Sequence, residues 1–257
     1  MTPLIELRCV YKYFGGLCAI HDVSLRVARG EVIGLVGDNA AGKSTLMKII
    51  SGVYCPTQGE ILVEGRPVVF HSPRDAREAG VEMVFQIQDL ALVPDLDVAD
   101  NLFLGREIFK KIWGKYEVKW LLDRRTMREK SRAFLKELMI NIDSVTEKTR
   151  VLSGGQQQSV AIARAVFFEA KLVILDEPTS NISVKETHKV LELIRQLRSK
   201  GVSVIIVSHR MDDIFSTADR IVVLRRGRKI EDVHKADTSM EAVVQHIVSG
   251  EEEASGP

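Results

Sequence analysis

At 257 residues the chain is long enough to bury a full core, and 36 basic against 35 acidic residues leave a net charge of +1, so no bulk field favours nucleic acid or an acidic membrane surface. Cys9, Cys18 and Cys55 form no C-x-x-C and no paired framework, which suits a reducing compartment and argues against structural zinc. The N-terminus lacks an apolar signal-peptide run, the longest apolar blocks fall far short of the ~18 residues of a membrane-spanning helix, and 45% hydrophobic content excludes global disorder.

Three segments carry turn residues between short β-prone runs: "IELRCVYKYF" from Ile5, "EILVEGRPVVF" from Glu60 and "RIVVLRRGRKIEDV" from Arg220. They predict antiparallel hairpins at an edge. "EVIGLVG" from Glu31, "VEMVF" from Val81, "KLVILDE" from Lys171 and "VSVIIVS" from Val202 are near-continuous aliphatic blocks with a polar or glycine stop, the form of buried parallel strands. Alternating with segments of helical period, they predict an α/β layer fold whose active crevice lies at the strand C-termini.

The stretch of about residues 87–168 has a different texture, including the helix-like "DRRTMREKSRAFLKELMI" from Asp123, and reads as an inserted, mainly helical subdomain. Helix starts are expected where Ser or Thr is followed three residues on by Glu or Gln: Ser153 with Gln156, Ser183 with Glu186, and Thr238 with Glu241. After the second of these, Val190, Leu191, Ile194 and Leu197 share one helical face. The chain is expected to be one domain over 1–248, followed by a solvated, flexible acidic tail, 249–257.

After the strand at Glu31 comes "GDNAAGKST", a G-x-x-x-x-G-K-S loop between a hydrophobic strand and an apolar-periodic helix. Gly37 and Gly42 permit close backbone approach, the amides of Asp38, Asn39, Ala40 and Ala41 line the turn, and the helix from near Lys43 presents its positive end to a polyphosphate. Lys43 reaches toward the β and γ phosphates, Ser44 offers its hydroxyl to a magnesium ion, and Thr45 supports an adjacent phosphate. The strand at Lys171 ends in Asp176, which can order the magnesium shell, and Glu177, which can polarise an attacking water. His209 ends another strand, placed to touch a γ-phosphate, although a lone strand-end histidine is more often a surface residue.

A second glycine-opened helix, "LSGGQQQSVAIARA" from Leu152, has no nucleophile or acid. Ser153, the amides of Gly154 and Gly155, and the helix start at Gln156 form an anion site with no nucleotide of its own. At these letters the chain resembles the nucleotide-binding subunits of ATP-binding cassette (ABC) transporters, from about Leu4 to Val248. The resemblance implies a P-loop ATPase fold of the ABC type, with a mainly parallel core sheet, an antiparallel β edge subdomain and the inserted helical subdomain. It implies ATP and Mg²⁺ as ligands and a second copy of the chain as head-to-tail partner, each signature loop closing on the γ-phosphate of the other copy's ATP. By the same resemblance Phe14, with Tyr13 as an adjacent rival, stacks on adenine, Glu177 is the catalytic carboxylate and His209 steadies γ-phosphate and water.

"DLALVPDLDVADNLFLGRE" and "SHRMDDIFSTADRIVVLRRGRKI" resemble the monosaccharide (ribose, xylose or fructose type) import class in single-cassette form. This implies a peripheral protein at the cytoplasmic face of the inner membrane, polytopic permease subunits as partners and, indirectly, a sugar-binding protein. Two alternatives stand beside it: a soluble cassette acting on nucleic acid, ribosomes or cofactor assembly, and an ATP-binding pseudo-enzyme. The near-neutral charge, for which no nucleic-acid partner is expected, counts against the first, and intact Lys43, Asp176, Glu177 and His209 against the second. Two features depart from the family. In "VFQIQDLAL" the loop glutamine that touches metal and partner is Gln86 counted from the strand and Gln88 counted back from Asp89, the strand-end position being preferred. Ser183 stands where most relatives have Asp, so activity is expected to be retained with altered coupling between sites. Gln157, where relatives often have Arg, is expected to be a surface detail.

Overall fold

In the structure, a computed structural model, residues 2–85, 92–112 and 116–248 are described, with backbone alone over 111–112 and 116–119. Gln86 and Gln88, and the tail 249–257, lie outside the described residues. Two compact units emerge. The first takes Met1–Met83, Ala170–Pro178 and Ile194–Pro257, the second Val84–Glu169 and Thr179–Leu193.

The first unit holds two sheets. β1 (Ile5–Phe14), β2 (Leu17–Val27), β4 (Gln58–Val63) and β5 (Arg66–Val68) form a four-stranded antiparallel sheet in the order β2-β1-β4-β5. The other sheet has six strands, β3 (Val32–Val36), β6 (Val81–Val84), β9 (Leu172–Asp176), β10 (Ser203–Val207), β11 (Arg220–Arg225) and β12 (Arg228–His234), in the order β12-β11-β3-β10-β9-β6. β11, β3, β10 and β9 are parallel neighbours, and β12 closes one edge antiparallel. The four aliphatic blocks and the three turn-bearing segments of the sequence fall on these strands. Val32–Val36 and Ser203–Val207 are buried at every position, as unbroken aliphatic runs demand when both faces are covered. Leu4, Val10 and Ile20 share one core with Ile33, Leu46, Met47, Ile174, Ile205 and Val222.

Register sets the active end of this sheet. Val207 lies opposite both Leu35 and Asp176. The chain segments leaving β3, β9 and β10 therefore come out level, bringing Gly37, Glu177 and His209 to one edge. Helices of the same unit include α1 (Lys43–Ile50) with Leu46, Met47, Ile49 and Ile50 buried, α2 (Pro73–Glu78) with Ala76 buried, and α7 (Met211–Thr217) with Ile214 buried.

The second unit contains α3 (Val98–Phe103), a hairpin of β7 (Phe109–Ile112) and β8 (Tyr116–Leu122), α4 (Arg124–Glu137) and α5 (Gly154–Val166). It also takes the first turns of α6 (Val184–Ser199), a stretch that the sequence places outside the insert. Asp97 caps α3 by accepting from the Asp100 amide at 2.7 Å, and Asp123 caps α4 by accepting from the Thr126 amide at 3.2 Å. Phe103, Phe134, Phe167 and Phe168 meet edge to face, with neighbouring centroids as close as 4.8 Å. The β7–β8 hairpin is a difference from the mainly helical reading. In α6, Val190, Leu191, Ile194 and Leu197 are all buried, as their common face requires.

Two of the three capping boxes form as spaced, Ser153 with Gln156 and Ser183 with Glu186. The third is displaced by one residue. α8 (Met240–Val248) is capped by Ser239, whose Oγ accepts from the Ala242 amide at 3.2 Å, while Thr238 Oγ1 donates to the Ser239 carbonyl. Both residues are competent caps, and the chain takes the one whose oxygen meets the third amide of the helix.

Candidate functional site

The loop between β3 and α1 is built backbone first. Gly37 has φ 144°, and a Cβ there would stand 2.1 Å from the Leu224 carbonyl oxygen, so no side chain is compatible with the seat of this loop on β11. Asp38, Asn39 and Ala40 are exposed, and Ala41 is buried. The Ala41 amide donates to the Asp38 carbonyl at 3.1 Å, and the Ala41 carbonyl accepts from the Gly227 amide at 2.9 Å. Gly42 is the N-cap of α1, which opens with Lys43, Ser44 and Thr45.

Lys43 folds back over its own loop, its Nζ donating to the carbonyls of Gly37 at 2.6 Å and Asp38 at 2.8 Å. Burial holds its pKa below the ordinary lysine value, against the pull of the Glu177, Asp38 and Asp176 carboxylates, largest first. Those opposing charges record how the loop, the end of β9 and the residue after it converge. Asp176 shows the mirror image: burial and then the neighbouring Glu177 raise its pKa, while Lys43 and Lys48 lower it.

Glu177 leaves the end of β9 with a left-handed backbone, φ 49°. Its amide donates to the Val207 carbonyl at 2.8 Å, tying it to the end of β10. Its carboxylate is oriented from the same strand: Oε1 accepts from the His209 amide at 3.0 Å, and Oε2 lies 2.9 Å from His209 Nδ1. An ionised carboxylate at that distance fixes the ring proton on Nδ1, leaving Nε2 for another partner. The His209 side chain is 70% exposed and that of Glu177 18%, so the pair joins a sheltered acid to an accessible ring.

The residues present fit a nucleoside triphosphate with a hard divalent cation. The amide-lined turn at a helix N-terminus with a lysine suits polyphosphate, and the Ser44 hydroxyl and Asp176 carboxylate are oxygen donors of the kind Mg²⁺ takes. No group of three or more His, Cys, Asp or Glu side chains able to hold a metal ion occurs among the described residues.

Phe14 and Tyr13 end β1 and are 41% and 38% exposed, so neither is a core aromatic. Phe14 meets Tyr54 edge to face at 5.2 Å, with Lys12 Nζ 5.2 Å from the Phe14 centroid, whereas Tyr13 lies parallel to Tyr11.

The signature segment lies in the second unit. Ser153 Oγ accepts from the Gln156 amide at 3.3 Å, and Gln156 Oε1 accepts from the Ser153 amide at 3.0 Å. Gln157 differs from its expected role: it is half-buried, and its Nε2 donates to the Thr149 and Leu152 carbonyls at 3.1 Å each, bracing the turn that leads into α5. Sequence reading also missed the reach of Glu186. A Cβ on Gly155 would stand 2.5 Å from Glu186 Cβ and 2.9 Å from its Cδ. The Glu186 carboxyl is held below the usual range, against burial, by the neighbouring Ser153 hydroxyl, the Ser183 amide and hydroxyl, and the Gly155 amide, and it accepts from the Ser183 amide at 3.2 Å and hydroxyl at 3.1 Å. Its capping-box spacing from Ser183 was visible; its packing against Gly155 was not.

Comparison with known proteins agrees with this geometry. A family model described as ABC transporter matches residues 20–180, and one described as P-loop domain matches 122–255. The chain is 45% identical to the xylose/arabinose import ATP-binding protein XylG of Sulfolobus acidocaldarius over 249 residues, 97% of this chain and 95% of that one. It is 42% identical to the fructose import ATP-binding protein FrcA of Rhizobium meliloti, with the same coverage. Against the ribose import ATP-binding protein RbsA 1 of Burkholderia thailandensis, identity is 40% over the whole chain but only 49% of that relative. Among solved structures, a nucleotide-free ATP-binding cassette from an ABC transporter superposes with TM-score 0.79 at 25% identity, covering 95% of each chain. A dimeric cassette, MJ0796, bound to ADP and Pi superposes with TM-score 0.72 at 26% identity, covering 90% of this chain and 98% of that one. With its phosphate loop, strand-end carboxylates and signature helix in these places, the chain belongs to the ATP-binding cassette family of ABC transporters.

Proposed function

We propose that this chain is the ATP-hydrolysing subunit of a sugar importer, with a monosaccharide as cargo, working as a head-to-tail pair beneath a separate polytopic permease. The observation that carries the catalytic part is the meeting of Lys43, Asp176 and Glu177 at one end of the parallel sheet, with His209 oriented on Glu177. The sugar class rests on the names of two relatives that match over nearly their full length, both import ATP-binding proteins for sugars. The same names count against the soluble alternative.

In this reading Phe14 supports the adenine, and the amides of Gly37 to Gly42 receive the phosphates. Lys43 exchanges its own loop carbonyls for β and γ phosphate oxygens, and Thr45 supports a neighbouring one. Ser44 and Asp176, with Gln86 beyond the described residues, would hold Mg²⁺, which when bound neutralises charge on the β and γ oxygens. Glu177 takes a proton from the attacking water as the water oxygen bonds to the γ phosphorus and the bond from that phosphorus to the β–γ bridging oxygen breaks, leaving ADP and inorganic phosphate, and His209, its Nδ1–H engaged by Glu177, turns Nε2 to the γ-phosphate. Ser153, Gly154, Gly155 and Gln156 serve the nucleotide of the other copy. Residues of about 87–168 act as the inserted subdomain that meets the permease, 1–248 as one ATPase domain with 249–257 as tail, and the protein sits on the cytoplasmic membrane face. No helix among the described residues is long and apolar enough to cross a membrane. A sugar-binding protein delivers the cargo.

Glu177→Gln tests the assignment. Loss of a general base reduces turnover by about 10²- to 10⁴-fold, with ATP binding retained because Lys43 and the loop are untouched. Turnover equal to that of the unaltered protein contradicts the role.

A further inference from the structure

The β7–β8 hairpin is a two-stranded sheet of its own, closed at its base by the Asp123 amide, which donates to the Ile108 carbonyl at 2.7 Å. A lone hairpin is marginal in water, so a surface that covers one of its faces would stabilise it. Its sequence, Phe109 to Leu122, gathers two things. Both tryptophans of the chain, Trp120 and, outside the described residues, Trp113, fall within it. Lys110, Lys111, Lys115 and Lys119 against Glu117 give it a charge of +3, so the rest of a chain that is +1 overall sums to −2. The near-neutral whole conceals a local cation.

Backbone register sorts these residues. Phe109 lies opposite Leu122, Ile112 opposite Tyr116 and Lys111 opposite Glu117. Counted by twos along β8, the positions of Tyr116, Val118, Trp120 and Leu122 share one face with those of Phe109 and Ile112, and the positions of Lys111, Glu117 and Lys119 share the other. At the base of the first face Phe109 and Leu122 are half-buried, whereas Trp120 further out is 83% exposed. An indole is highly buried on average, so one left in the open marks a contact surface. Aromatic positions on one face and lysines around them match the water–bilayer boundary, where indole rings sit at headgroup depth and lysine ammonium groups reach lipid phosphates. Charge decides the kind of surface, because within a Debye length the local +3 governs attraction and an anionic leaflet is its complement.

We propose that the β7–β8 hairpin rests on an acidic lipid surface, with its aromatic face in the headgroup layer and its lysines on lipid phosphates. This gives the membrane placement proposed above a contact of the cassette's own beside the permease. Its failure leaves standing the ATPase assignment, which Glu177→Gln tests separately.

The two tryptophans make the native chain its own probe, since intrinsic indole emission reports this hairpin and nothing else. The full chain is titrated with vesicles of phosphatidylcholine alone and with vesicles that also contain phosphatidylglycerol, reading indole emission and co-sedimentation. Emission is expected to move to the blue on the acidic vesicles, with partitioning above that on the zwitterionic ones by on the order of a hundredfold at low salt, about fivefold for each net charge. Combining Lys110→Gln, Lys111→Gln and Lys119→Gln is expected to abolish that preference. If this variant does not fold, high salt on the unaltered chain makes the same test, and a preference that survives it overturns the proposal. Equal partitioning onto both vesicles also overturns it, as does sedimentation with acidic vesicles while the emission stays put, which places the contact elsewhere on the chain. A hairpin silent to both kinds of vesicle overturns it and leaves a protein surface as the partner of Trp120.

Discussion

Glu177 is a non-glycine residue in left-handed backbone, φ 49°, at the point where β9 gives way to a loop. Such conformations cost about 1–3 kcal/mol and persist only where the surroundings fix them. Here the amide bond to Val207 and the His209 contacts do so. Gly37 solves the opposite problem, a backbone so close to the Leu224 carbonyl that only hydrogen fits. Gly37→Ala is therefore expected to cost more than about 3 kcal/mol or to displace the phosphate loop. Chemical denaturation and ATP affinity measured together check this, and an alanine variant unchanged in both contradicts the seat described. The difference between these two residues explains their legibility. Gly37 is announced by the local G-x-x-x-x-G-K-S spacing, whereas the orientation of Glu177 by His209 joins residues 32 apart and depends on strand register.

The β11–β12 hairpin is held by charge as well as by pairing. Arg220 donates to Glu31 at 2.6 Å and to Asp232, and Lys229 donates to Asp232 at 2.7 Å. Burial works to raise the Asp232 pKa, but the hydrogen bonds from Lys229 and Arg220 prevail and hold it below the ordinary aspartate value. A carboxyl with a depressed folded pKa contributes stability that is full above its unfolded value and is lost as pH falls through the folded one. Asp232→Asn is thus expected to lower stability by about 1–2 kcal/mol near neutral pH and by less at pH values below the ordinary aspartate pKa. Urea unfolding at the two pH values measures this, and a deficit that grows in acid contradicts the sign. At this scale the sequence was most readable where one rule acted alone: buried strands from aliphatic blocks, α1 from its loop, α6 from its single apolar face. It was least readable where rules competed. Thr238 and Ser239 both qualify as caps, and "FKKIWGKYEVKWLL" from Phe109 interleaves lysines with aromatics so evenly that neither a helical nor a strand period stands out.

For the whole molecule, the informative fact is that the phosphate loop and the signature helix belong to different compact units of one chain, each an anion cradle, while only the first unit carries the strand-end carboxylates. On the head-to-tail reading proposed above, one chain brings two half-sites of opposite kind, and a two-fold pair completes both at once. The relatives sort into chains of this length and chains of about twice it, since 97% of this chain covers 95% of one relative and all of it covers 49% of another. The most direct measurement is ATP turnover per molecule as a function of protein concentration, with oligomeric state followed in parallel. The account predicts that turnover per chain falls steeply as dilution yields monomers and recovers when the protein is concentrated again. Turnover per chain that stays constant down to demonstrably monomeric protein contradicts it.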